Sequence, residues 1–313
     1  MMRDTKHYVA VVAASTIWGL FAFVLKPLAR WPPQDILFNR VFLSAILMVV
    51  MGLLLRRKAW VSDRRFFEAL SRRDRRRVVW QALGGGFFLT FNWFFYIYVM
   101  NAVSIKAASL AYLVCPILTT VLAFFFLGER PTRRQWAAVG LSVTGCLVLA
   151  FGHSMDLVYS MAIAIFYAFY LVTQRRDYGT DKVNLLTVQV VFSALLLLPF
   201  YPFFSGPAPT AAVFYILISV IAIFLTIIPL LLSLYGLKRL SSSTVGIILY
   251  INPLMSFVIA VSFYGEKIDM RQAAAYGIVL LSIVLFNWPN GTDRGGLAGK
   301  NVAAIGSNKA SGH

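Results

Sequence analysis

Ten long apolar runs dominate this chain of 313 residues, at positions 8–25, 36–55, 78–100, 107–127, 136–152, 157–172, 185–204, 211–235, 244–264 and 273–288. They hold 16 to 25 residues each, bracketing the ~20 residues a helix needs to cross a hydrocarbon core. No other feature restricts the fold as much. So much apolar surface cannot be hidden in a single water-soluble core of this size. The chain is 59% hydrophobic and 13% charged, against about 45–50% and 25% in soluble domains. An all-α membrane protein of ten transmembrane helices is predicted.

Charge placement gives the orientation. The formal net charge is +17, but the basic residues sit in short loops rather than on one nucleic-acid-binding face, and no nucleic-acid partner is expected. With the N-terminus inside, 23 Lys and Arg fall on inner segments and 5 on outer loops, while Arg40 lies within the second run. That asymmetry places both termini in the cytoplasm and requires an even number of crossings. Ten cations crowd residues 56–77. They serve either as a topology signal alone or as a patch against anionic lipid headgroups, where each gains about 1 kcal/mol. The first run is too long for a secretory h-region and lacks a small-residue cleavage site, so it is read as helix one. The Gly-rich polar stretch at 290–313 is expected to be a disordered tail.

An offset of 137 aligns the chain with itself. Tyr98, Pro116, Gly128-Glu129 and Arg134-Gln135 meet Tyr235, Pro253, Gly265-Glu266 and Arg271-Gln272, among 13 identities over 43 ungapped positions. A weaker register at 149 pairs Trp18 with Tyr167, Phe21 with Tyr170, and Ser44-Ala45 with Ser193-Ala194. Two halves follow, 1–152 and 153–289. Five crossings per half is odd, so the second half must enter from the opposite side. Inverted halves are the plan of carriers that expose a midplane site to each side in turn.

Several residues are candidates for that site. Pro116 and Pro253, mid-helix in both halves, each remove a backbone hydrogen bond and are assigned to a hinge or gate, with a static kink as the plainer reading. Asn92 needs a partner inside a bilayer, from a neighbouring helix or a ligand. Trp93 and Tyr96 share a helix face and either wall a cavity or pack the core, as do Trp18, Tyr167 and Tyr170. Tyr112 and Tyr250, just before the prolines, and Asn252 join them. Arg40 either snorkels to water or, with Lys26 and Arg30, forms a cationic mouth for a carboxylate-bearing solute. Glu129 and Glu266 cap the helices that follow them, near positive dipole ends, or form gating ion pairs with Arg130 or Lys267.

Other chemistry finds no support. All 12 acidic residues lie in loops or at helix ends, so the usual mid-membrane carboxylate of a proton relay is missing. There is no phosphate-binding G-x-x-x-x-G-K-[ST] loop and no catalytic constellation. Cys115 and Cys146 read as small buried hydrophobes and the three histidines are scattered, so neither metal nor cofactor is expected.

The quoted residues resemble the drug/metabolite transporter superfamily and, within it, EamA-type proteins of the RarD-like kind. The segments that carry the resemblance are Asn39-Arg40, Asn92-Trp93…Tyr96 and Ala108-Ser109-Leu110-Ala111-Tyr112…Pro116. They continue with Leu127-Gly128-Glu129-Arg130…Gln135-Trp136 and Tyr250-Ile251-Asn252-Pro253…Tyr264-Gly265-Glu266. Cys115 departs from the pattern, since many relatives have Asn-Pro there. The resemblance implies a monomeric inner-membrane exporter of amino acids, other metabolites or drugs. A flippase for lipid-linked carriers is the alternative within the same superfamily. The expected topology has a direct test. Alkaline phosphatase fused after Ser205 should be active and fused after Arg176 inactive, and the opposite pattern would reverse the orientation.

Overall fold

Where no water is available to complete a backbone hydrogen bond, an apolar run has one local solution, the helix. A computed structural model describes residues 2–28, 30–99, 105–150, 154–263 and 270–288. Among these every regular element is helical, and the apolar runs are helical over most of their described length, with turns at Leu20 and at Leu249-Tyr250.

The first half contributes α1 (Met2–Gly19), α2 (Phe21–Leu28), α3 (Pro33–Leu55), α4 (Arg57–Ala69), α5 (Arg72–Tyr98), α6 (Ile105–Leu127) and α7 (Arg133–Ala150). The second contributes α8 (Ser154–Arg175), α9 (Lys182–Leu197), α10 (Tyr201–Phe204), α11 (Ala212–Ala222), α12 (Ile228–Leu237), α13 (Ser242–Ile248), α14 (Ile251–Ser262) and α15 (Met270–Asn287). Four stretches, Thr5–Leu25, Pro33–Leu55, Lys182–Phe204 and Ala212–Leu237, are long and apolar enough to cross a membrane by themselves, and three shorter apolar helices accompany them. Leu53, Leu54, Leu55, Phe125 and Phe203 face outward with no protein cover, as side chains do when lipid is the solvent. By contrast α4, rich in Arg, buries no residue.

Four stretches are interrupted, three of them by proline; one of these is the tight turn Leu198–Phe200, with Pro199, between α9 and α10. Pro229 has no N–H, so the carbonyl of Leu225 four residues earlier loses its helical donor. The helix relaxes there into a π-turn over Ile223–Ile227 that joins α11 to α12. Ahead of Pro253 the chain tightens, with Tyr250 N donating to Ile247 O (3.1 Å) and Asn252 N to Leu249 O (3.0 Å), which separates α13 from α14. Pro116, its partner in the repeat, runs through an unbroken α6. Residue 20 marks the fourth break, between α1 and α2.

Helices from the two halves interleave: α1 packs on α12 and α14, α3 on α9, α5 on α8 and α9, α6 on α8, and α7 on α15. The last pair shows its direction at side-chain level. Ser142 Oγ donates to Ser282 Oγ (2.9 Å), while Gly145, one turn later, meets Val279, one turn earlier. These helices therefore run antiparallel. Small residues set the closest approaches, as expected where packing rather than apolar burial joins helices. A Cβ on Gly86 would lie 2.8 Å from the backbone oxygen of Gln189, and Ser193 Oγ donates to the Gly86 carbonyl (3.2 Å). Gly86→Val must push α5 off α9. Overpacking of this kind costs about 1–3 kcal/mol, so the purified variant should melt at lower temperature than the parent in the same detergent, and an unchanged melting temperature would contradict this contact.

Candidate functional site

The helix interruptions lie where the helices from both halves meet, and a cavity opens beside them. It encloses about 470 Å³ of atom-free space, its mouth included. Trp18 and Phe21 reach it from the α1–α2 break, Arg40 from α3, and Asn92, Trp93 and Tyr96 from the end of α5. The lining is completed by Tyr112 of α6, Tyr167 of α8, Leu225 and Thr226 of the π-turn, Leu230 of α12 and Asn252 of α14.

The walls are held by their own contacts. Trp18 donates its indole N–H to the Leu225 carbonyl (3.0 Å), the group that Pro229 leaves without a helical donor. It also meets Tyr167 edge-on, with centroids 6.0 Å apart. Phe21 meets Tyr96 edge-on at 5.9 Å and Tyr96 meets Tyr112 at 5.4 Å, giving a chain of rings along one side. Asn92 donates to the Ile163 carbonyl of α8 (3.0 Å). The neighbouring-helix reading therefore accounts for its amide N–H, even though the residue also lines the cavity.

Arg40 is the one ionisable cation among the lining residues. It is 4% exposed, its guanidinium carbon lies 4.8 Å from the Trp93 ring centre and 5.8 Å from that of Phe21, and its Nε has no hydrogen-bond partner. Among the described residues no carboxylate comes within ion-pairing distance of it. Arg30 is exposed and stacks over Trp31 instead (4.1 Å).

The profile of the EamA-like transporter family matches residues 5–151 and, a second time, residues 155–288. The chain belongs to this family. Protein RarD of Escherichia coli is 28% identical over 283 residues, covering 88% of this chain and 91% of its own. An uncharacterized transporter of Bacillus subtilis, YojE, is 27% identical over 293 residues, covering 91% and 95%. One solved crystal structure superposes with a TM-score of 0.69 over 90% of this chain and 96% of its own, at 17% identity, which shows a common fold. The protein is thus an EamA-like membrane transporter.

Within this transporter, eight of the ten residues expected at the solute site surround one cavity: Trp18, Arg40, Asn92, Trp93, Tyr96, Tyr112, Tyr167 and Asn252. Tyr170 and Tyr250 do not reach it. Tyr170 stacks behind Tyr167 with centroids 5.8 Å apart, and Tyr250 is wholly buried at the α13–α14 break. Phe21, Leu225, Thr226 and Leu230 line the cavity without having been expected. Pro229 was the available signal for Leu225, and Leu230 is the repeat equivalent of Trp93 at offset 137.

Glu129 does something different from either expectation. Gly128, at φ +67°, ends α6 with the Glu129 N–H turned back to the Ala123 carbonyl (3.2 Å), a left-handed glycine stop. The start of α7, which Glu129 was expected to cap, is taken by Thr132 and Gln135 in a reciprocal capping box (2.8 and 3.3 Å). The Glu129 carboxylate is left free to cross to the second half. There it accepts from Ser242 N (2.9 Å), Ser243 N (3.3 Å) and Ser243 Oγ (2.7 Å) at the start of α13, with Arg175 Nε, rather than Arg130, at 4.0 Å. Glu266 lies outside the described residues. Charge-assisted bonds to backbone N–H are about twice as strong as neutral ones, so Glu129 latches the end of α6 to the start of α13, outside the residues that line the cavity. Glu129→Ala should speed amide exchange at Ser242 and Ser243 while leaving α3 protected. Unaltered exchange there would dismiss the latch.

Proposed function

We propose that this transporter carries a small carboxylate-bearing solute with an aromatic or apolar body, amino acids among the class. It does so by alternating access between two halves of opposite orientation, 1–152 and 153–289. Ten crossings, cytoplasmic termini and residence in a bacterial inner membrane go with this reading, as do export down the solute's own gradient and action as a monomer.

The duplicated family match, with one boundary near residue 153, supports two related halves. The crossing of α7 and α15 supports their inversion. In the offset of 137, Ser282 is the equivalent of Gly145 and Val279 that of Ser142. Contacts of Ser142 with Ser282 and of Gly145 with Val279 are therefore one contact made twice. A two-fold relation produces such reciprocal pairs, and their antiparallel sense fits an axis in the membrane plane rather than along its normal.

The observation that carries the substrate class is the lone guanidinium of Arg40. A charged side chain at mid-bilayer costs about 2.5–3.5 kcal/mol on insertion scales. Stacking on Trp93 and Phe21 returns about 0.5–2 kcal/mol, so these rings alone do not fully compensate the charge. A carboxylate completes it with paired N–H···O bonds, and the rings along the wall accept an apolar body. The gate is read from the same frame: in this proposal the Glu129 contact holds one end shut and the cavity is reached from the Arg40 end, and release of α13 together with the Pro253 break would reverse the two.

Transport in proteoliposomes tests this. Arg40→Gln should lower uptake of a carboxylate solute by about ten- to a hundredfold, the equivalent of a lost charged hydrogen bond of about 1.5–3 kcal/mol. Uptake of the matching amide should be nearly unchanged. An equal loss for both solutes would rule out the anion site.

A further inference from the structure

The two registers of the internal repeat assign every cavity residue a counterpart in the other half. Trp18 and Tyr167 are counterparts at offset 149, Trp93 and Leu230 at offset 137, and all four line the cavity. They mark the ground the two halves share. Five other first-half lining residues have counterparts that the cavity does not touch; those of Asn92 and Tyr112 are the apolar Pro229 and Leu249, and the other three are polar. Phe21 corresponds to Tyr170, Arg40 to Gln189, and Tyr96 to Ser233.

These three counterparts have a common property. Each is buried, at 1%, 0% and 1% exposure for Tyr170, Gln189 and Ser233, and each holds a polar atom with no hydrogen-bond partner among the described residues: the Tyr170 hydroxyl, Gln189 Oε1 and Ser233 Oγ. Leaving such a group buried and unmet costs about 1–3 kcal/mol. Polar side chains of membrane helices normally hydrogen-bond across a helix contact, so three counterparts of lining residues that each leave a polar atom unmet are unusual. Packing at Gln189 is also close: a Cβ on Gly85 would fall 2.9 Å from its amide carbon, and its Nε2 donates to the Gln81 carbonyl (3.3 Å), which leaves Oε1 as the unmet atom.

Resting on the inverted-halves reading above, we propose that Tyr170, Gln189 and Ser233 line a second cavity that opens when the Glu129 end parts. There they do for the solute what Phe21, Arg40 and Tyr96 do at the open end. The unmet atoms are then the wetted, solute-facing groups of the opposite state. The second face offers two hydroxyls and an amide in place of a ring, a guanidinium and a phenol. It holds the same solute through neutral hydrogen bonds.

Cysteine accessibility decides the matter. In protein with Cys115 and Cys146 replaced by alanine, Gln189→Cys, Ser233→Cys and Tyr170→Cys are each treated with a membrane-impermeant maleimide in sealed vesicles of known orientation. Only variants that elute as the parent on size exclusion are scored. Labelling is expected from the Glu129 side and lost from the Arg40 side, with Phe21→Cys showing the opposite pattern. Lys58→Cys and Pro207→Cys, equivalent positions at offset 149, report the inversion separately by labelling from opposite faces. If that pair labels from one face, the inverted-halves reading fails. If the pair behaves as expected and the scored core cysteines stay inert, or label from the Arg40 side, the second cavity is overturned.

Discussion

Every backbone donor and acceptor inside hydrocarbon must find its partner in the protein, and the rest of this structure depends on that constraint. It makes the apolar runs helical and keeps irregular backbone to the places where something else can satisfy it. The π-turn before Pro229 is such a place. The carbonyl of Leu225 would be bare in lipid, yet beside the cavity it receives the indole N–H of Trp18. One missing amide hydrogen in α12 thus orients an aromatic wall contributed by α1. The break before Pro253 sets Asn252 against the same cavity. Local defects in helical hydrogen bonding and the position of the site are one fact described twice.

Charge is handled by the same logic. Most cations remain outside the apolar runs, and α4, which carries several of them, buries nothing. Arg40 is the exception, held between rings without an acidic partner among the described residues. Pairing it with a protein carboxylate would make a more stable bundle and a worse binding site, because the pair would have to be broken for a solute to bind. Its lack of a partner is what makes the cavity selective in the proposed function. The acidic group that spans the halves, Glu129, sits instead outside the residues that line the cavity. There it meets backbone N–H groups of α13, with Arg175 at 4.0 Å.

Much was legible in the sequence because it rests on local chemistry. Run length alone implied helices in a bilayer, and the motifs around Asn92-Trp93, Tyr112 and Asn252-Pro253 implied the transporter family that the comparisons show. Eight of ten expected site residues converge on one cavity because aromatic and amide side chains in an otherwise aliphatic bundle are seldom placed idly. Tyr170 and Tyr250 obey the same rule of composition and yet stand behind the wall. Helical phase alone cannot say which of two neighbouring turns faces a gap between four other helices.

By itself, then, the sequence determined the class of fold, the internal duplication and a short roster of polar and aromatic residues, since each follows from spacing along one chain. Only the tertiary structure decided which of them meet. Glu129 looked like the cap of the helix that follows it. The Thr132–Gln135 box already fills that position, so the carboxylate turns to a helix more than a hundred residues away. Whether Arg40 reached water or stayed among rings likewise depended on Trp93 and Phe21 arriving from other helices. Partners distant in sequence leave no periodicity to read, because packing between helices depends on shape and not on order along the chain.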